Sequence, residues 1–214
     1  SDGRPVCSPT QDMVIGCYYL TMDKPGAKGE GKMFCDVDEA KMAYANKEIE
    51  LQSKIWVRIF KNIGGVTKSR RVETTVGRLI FNEAIPQDLG FVERNTEEDM
   101  FLPEVNFRVD KNGLQKIVDR TFKYKGATET VKVLDAVKAL GFKYSTIGAI
   151  TTSVFDMHIP AGKKEILAAA EKEVIKIEKM YERGFMTEDE KYKLVVEEWK
   201  KANEAVTEEL KKTL

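Results

Sequence analysis

The chain has 214 residues, with 35 Lys+Arg against 35 Asp+Glu, so its formal net charge is zero. That balance excludes any argument from bulk charge for a nucleic acid or membrane partner, and 42% hydrophobic content without a long apolar run offers no signal segment or membrane span. The length suffices for one large or two small domains with a real core.

Cys7, Cys17 and Cys35 lack CxxC spacing, and His158 is the only histidine, so a zinc site is not expected. Reduced thiols in a cytoplasmic protein are the plain reading. The start at Ser1, without Met, suggests an excised fragment or a processed chain.

Prolines make Gly3 to Thr10 extended. Thr10 is then expected to cap a short helix from Gln11 to Leu20, with Met13, Val14, Cys17 and Leu20 on one face. Gly26 to Met33 nearly spells a phosphate-binding P-loop. Met33 stands where Ser or Thr would hold magnesium, and no buried strand precedes, so a glycine-rich loop is preferred. Asp36 caps a helix to about Asn46. Ile55–Phe60 and Lys68–Thr74 alternate as strands around a turn at Lys61–Gly65. Arg70 and Arg71 form a basic spot that reads as a solvated strand edge or as a contact, the former preferred.

Thr74 to Glu83 passes from strand into a short helix ended by Pro86. Gln87 to Glu104 is polar, with an acidic loop at Thr96–Asp99. Leu114 to about Phe122 and Thr128 to Leu140 read as helices. Thr128 caps the second and Gly141 stops it; Leu134, Ala136 and Val137 are core candidates. The small, β-branched Phe142–Ser153 stretch must pack closely on something. Tyr18, Tyr19, Ile147 and Ile150 are candidates for an exposed apolar patch.

From Pro160 two helix-period runs meet at one glycine. Ile166, Ala170, Val174, Ile177 and Tyr181 form one stripe; Tyr192, Val195, Trp199, Ala202, Val206 and Leu210 form the other. Gly184 suits a left-handed helix end, and Thr187 with Glu190 a capping box. The expected fold is α+β: a mixed domain over residues 1–158, then a projecting antiparallel helical hairpin over 159–214.

Several runs together resemble the β′ (largest) subunit of bacterial RNA polymerase. They are Gly3-Arg4-Pro5, Ser8-Pro9-Thr10-Gln11-Asp12-Met13, Gly29-Glu30-Gly31, Thr74-Thr75-Val76-Gly77-Arg78, Gly141-Phe142-Lys143-Tyr144-Ser145-Thr146, and Asp156-Met157 before a helical hairpin. The resemblance implies the pore region, followed by the hairpin on the rim of the secondary channel, in a cytoplasmic nucleotidyltransferase. The implied partners are other polymerase subunits, Gre-type cleavage factors, and nucleotides and the RNA 3′ end in the complete enzyme; no membrane is implied.

The family's Asp-x-Asp-x-Asp magnesium motif is absent. Asp36 and Asp38 are two carboxylates without the third. No catalytic or metal residue is therefore assigned, magnesium is placed outside this segment, and the chain is expected to be inactive alone. Gln11 matches the glutamine near the incoming ribose, with Asp12 beside it; the alternative is that both cap their helix. Arg78 reads as a structural ion pair. The factor-docking tip falls on Arg183, Phe185, Glu188 and Asp189. Phe155 stands where some members carry an acid. Lys193 and Leu194 stand where some relatives carry Asn-Lys for an alarmone bound with a DksA-like factor, which puts that site in doubt. The main alternative is a free-standing coiled-coil adaptor with no transcription role.

Overall fold

The computed structural model describes residues 7–156 and 158–213. Met157 and the extended stretch predicted from Gly3 lie partly or wholly outside them. The chain divides into two compact units, one ending at Ile150 and the other beginning at Thr151.

The first unit mixes helix and sheet. Helix α1 (Asp12–Thr21) leads through a glycine-rich turn region to β1 (Met33–Phe34), α2 (Val37–Ala45), β2 (Lys54–Ile63), β3 (Val66–Thr75) and α3 (Val76–Glu83). The Asp36 side chain accepts the Glu39 N–H and starts α2, as its sequence position predicts. The glycine-rich loop precedes a two-residue strand, not a helix, so it has none of the geometry of a P-loop. In the sheet, β1 pairs in parallel with β2, and β2 pairs antiparallel with β3 from Lys54↔Thr75 to Ile63↔Val66. Gly64 and Gly65, at φ 61° and 85°, make the tight turn between them, where both positions need positive φ.

A loop with a short 3-10 turn (Asp99–Phe101) leads to α4 (Lys111–Gly148). Asp110 caps this helix by accepting the Gly113 N–H. The two helices predicted here are joined end to end, with a break at Gly126 (φ 80°, ψ −178°). Thr128 lies inside the second stretch and does not cap it.

Gly141 does not stop α4 either; it is where α1 crosses. A Cβ on Gly16 would stand 1.8 Å from the Gly141 carbonyl oxygen, and one on Gly141 would stand 2.6 Å from the Met13 Cα. Both glycines are buried in helix interiors because only bare backbone allows this approach. The close packing expected of Phe142–Ser153 is met in part at Gly148, which lies against the Tyr19 ring. Leu20, Ile55, Val57, Val76, Phe81, Leu89, Leu114, Ile117 and Val137 fill the core. Leu134 and Ala136 are only half-buried.

The second unit is the predicted hairpin, α5 (Lys163–Glu182) and α6 (Glu188–Thr213). Its turn is doubly defined. Gly184 (φ 76°) donates to the Tyr181 carbonyl at 2.8 Å, and Phe185 donates to the Met180 carbonyl at 3.1 Å, the two bonds of a Schellman motif. Glu190 N–H donates to Thr187 Oγ1 at 3.3 Å, while Thr187 N–H donates to Glu190 Oε2 at 2.9 Å, closing the capping box. The Thr187 N–H, and after it the Thr187 hydroxyl at 3.0 Å, donate to the Glu190 carboxyl and hold it below its ordinary value.

Ala170, Ile177 and Ala202 are the buried centre of the stripes. Tyr192 does not belong to the seam and is 70% exposed. Lys191 takes that direction instead, its ammonium 4.6 Å from the Tyr181 ring centroid.

Candidate functional site

The amino end of α1 is not built as expected. Thr10 contributes its backbone carbonyl, which accepts the Met13 N–H at 3.1 Å; its side chain is not the cap. Gln11 occupies the cap position at φ 47°, ψ −121°, and its side chain makes no capping bond. A non-glycine residue there is strained, and such strain persists only where surrounding structure enforces it. Gln11 and Asp12 are both exposed. With Thr10, Val14, Ile15 and Lys111, Gln11 lines a shallow cleft of about 600 Å³. A carboxamide that donates and accepts, an ammonium and two aliphatic side chains suit a polar, anionic small molecule.

The carboxyl end of α1 is held by Arg78, which forms the ion pair expected of it, with Asp23 as the partner. Arg78, only 8% exposed, donates from Nε to the Thr21 carbonyl at 3.0 Å and from its terminal nitrogen to Asp23 Oδ1 at 3.1 Å. Thr75 Oγ1 accepts the Arg78 N–H at 3.2 Å and caps α3. A Cβ on Gly77 would stand 1.8 Å from the Leu20 carbonyl oxygen. Thus Thr75, Gly77 and Arg78 form one device that seats α3 on the end of α1. Lys54 completes it at 3.2 Å from Asp23, and its hydrogen bond, followed by the Arg78 charge, holds the Asp23 carboxyl below the usual range.

The loop after α3 contains a polar network the sequence did not reveal. Glu104 is buried, accepting from Arg94 at 3.1 Å and from the Phe91 N–H at 2.8 Å. Arg94 also donates to the carbonyls of Asp99, Met100 and Leu102. The available signal was a lone Glu between Leu102-Pro103 and Val105, an acid in an apolar run.

At the hairpin tip Arg183, Phe185, Glu188 and Asp189 are all exposed, Phe185 by 75%. The three charged ones, Arg183, Glu188 and Asp189, join no ion pair found among the described residues, whereas Lys176, Lys201 and Lys212 along the arms pair within their own helices. Among the described residues no three His, Cys, Asp or Glu side chains gather into a metal-holding group, and no helix is long and apolar enough to cross a membrane.

The chain thus holds an α+β unit braced by close glycine contacts, and a helical hairpin with a hydrogen-bonded turn and an exposed tip. The chain belongs to the family of RNA polymerase Rpb1, domain 3, whose model matches residues 1–157. It is 52% identical over 214 residues to the DNA-directed RNA polymerase subunit beta′ of Clostridium botulinum (strain Eklund 17B), covering 100% of the chain and 18% of that protein. It is 54% identical over 209 residues to the same subunit of Acetivibrio thermocellus, covering 98% of the chain and 18% of the relative. With the subunit of Caldanaerobacter subterraneus the identity is 53% over 213 residues, 100% of the chain and 18% of the relative. The chain therefore spans 18% of the length of these curated relatives, and the likeness includes the hairpin. The adaptor reading gives way to this family.

Proposed function

We propose that this chain serves in a bacterial, cytoplasmic DNA-directed RNA polymerase as part of the wall and rim of the secondary channel. In this reading the first unit lines the route by which nucleotides reach the active site and the RNA 3′ end backs out. The hairpin tip, at Arg183, Phe185, Glu188 and Asp189, docks Gre-type cleavage factors. Other polymerase subunits are the remaining partners. Magnesium and its carboxylates belong to another segment, because no Asp-x-Asp-x-Asp triplet occurs here. The chain alone is then expected to add no nucleotide to a primed template.

The observation that carries the reading is Gln11: an exposed carboxamide, spent on no helix cap, held on strained backbone at the mouth of a cleft. It can exchange hydrogen bonds with a ribose hydroxyl, and a 2′-deoxy nucleotide would forfeit that bond. Asp12, exposed and next on the chain, is assigned to the same nucleotide-proximal site. The test is Gln11→Ala in the complete polymerase. Loss of one hydrogen bond of about 1 kcal/mol lowers ribose-over-deoxyribose selectivity several-fold. An unchanged ratio, with assembly intact, would remove Gln11 from nucleotide recognition.

A further inference from the structure

The β2–β3 hairpin has two faces, and not all of its basic side chains find a counter-charge. On one face Lys68 pairs with Glu97 and Arg70 with Glu98, so the acidic loop predicted at Thr96–Asp99 serves as their counter-charge. On the other face Arg58 and Arg71 are direct cross-strand partners. Two cations opposite one another repel. Neither joins an ion pair found among the described residues, although Glu73 lies on the same face, opposite Trp56. Apolar side chains surround the pair: Trp56 is 37% exposed, Phe60 53%, and Met33, paired with Trp56 across the parallel strand, 63%.

We infer that this sheet face is a protein-docking surface whose occupant is a polymerase segment that lays a carboxylate between Arg58 and Arg71 and apolar side chains against Trp56, Phe60 and Met33. An arriving carboxylate relieves the repulsion and meets two guanidinium forks. Trp, Phe, Met and Arg are the side chains that concentrate at protein interfaces. A nucleic acid strand is disfavoured because Glu73 would face its phosphates. The inference rests on the polymerase reading, since most of the length of the relatives lies outside this chain.

The test is hydroxyl-radical footprinting of the isolated 214-residue chain and of the same segment in the assembled polymerase. Oxidation at Trp56 and Phe60 is expected to fall about tenfold on assembly, while Phe185 at the hairpin tip stays reactive. Unchanged reactivity at Trp56 and Phe60 would overturn the inference; protection of Phe185 would count against the open tip alone.

Arg58→Glu supplies the second arm. It replaces the repulsive cross-strand pair with an attractive one, so the thermal midpoint of the isolated chain rises, while protection of Trp56 on assembly is reduced. Lys68→Glu, on the other face, should leave that protection intact. Saturable quenching of Trp56 by oligouridylate, or a dimer of the isolated chain that Arg58→Glu abolishes, would overturn the inference in favour of RNA or of a second copy.

Discussion

Arg78 shows how one side chain can brace two helices. Its guanidinium ties the Thr21 carbonyl to Asp23 from a site that excludes most water. Arg78→Ala is expected to destabilise the first unit by about 3 kcal/mol, because Asp23 and the end of α1 lose their partner together. Arg78→Lys should restore little, since an ammonium cannot span both acceptors in the fork geometry. Urea denaturation of the three proteins tests both statements. The Asp23 carboxyl is depressed in the folded chain below its ordinary value of 3.8. Its stabilisation is therefore present above pH 3.8 and lost as pH falls through the lower folded value. The stability gap between wild type and Asp23→Asn should accordingly close in acid, at pH below 3.8. A gap that persists unchanged at pH 2 would assign the loss to packing. At this scale the sequence disclosed residue types but not partners. Thr75, Gly77 and Arg78 stood out as a run, yet what Gly77 and Arg78 meet, the end of α1, lies more than fifty residues away, and no local pattern encodes that pairing. Cys17 is comparable: burial pushes its thiol up to about 12, and the Val137 carbonyl it faces belongs to a distant helix.

At the scale of elements, local chemistry and tertiary contact compete for the same residues. The hairpin was legible because its determinants are local: Gly184 and Thr187–Glu190 act within one turn of where they stand. Gly184→Ala should cost about 1 kcal/mol, and Thr187→Ala a similar amount, read as lower melting of the helical signal of the second unit. Gly141 was misread for the converse reason. A glycine after a helical run has the local signature of a stop, but here α1 crosses over it and α4 continues to Gly148. The companion signal was Gly16, a second glycine in a helix interior, but nothing in one sequence says that two such glycines meet. Gly16→Ala would drive a methyl into the Gly141 carbonyl, so a loss of about 3 kcal/mol is expected, far beyond the usual helix gain from Ala. Thermal denaturation showing stabilisation would contradict the crossing. Tyr192 was misassigned because periodicity alone does not say where a stripe ends; the seam closes at the turn, where Lys191 covers Tyr181.

For the molecule as a whole, the motifs were more informative than composition. Equal numbers of acids and bases and ordinary hydrophobicity fit almost any module, whereas the ordered motif series pointed to one subunit. For the proposed sites the structure supplies geometry that the sequence did not carry: Gln11 stands at positive φ with no capping bond, and the hairpin turn is closed by the capping box. The proposed docking of a Gre-type factor at this tip can be tested on the chain itself. The measurement is a titration of the chain with a Gre-type cleavage factor at two salt concentrations, comparing wild type with the double variant Glu188→Lys, Asp189→Lys. Glu190 is left alone because it closes the capping box. The account predicts weaker binding and a shallower salt dependence for the double variant, with the helical signal nearly unchanged. Equal affinity for the two proteins at both salt concentrations would contradict it.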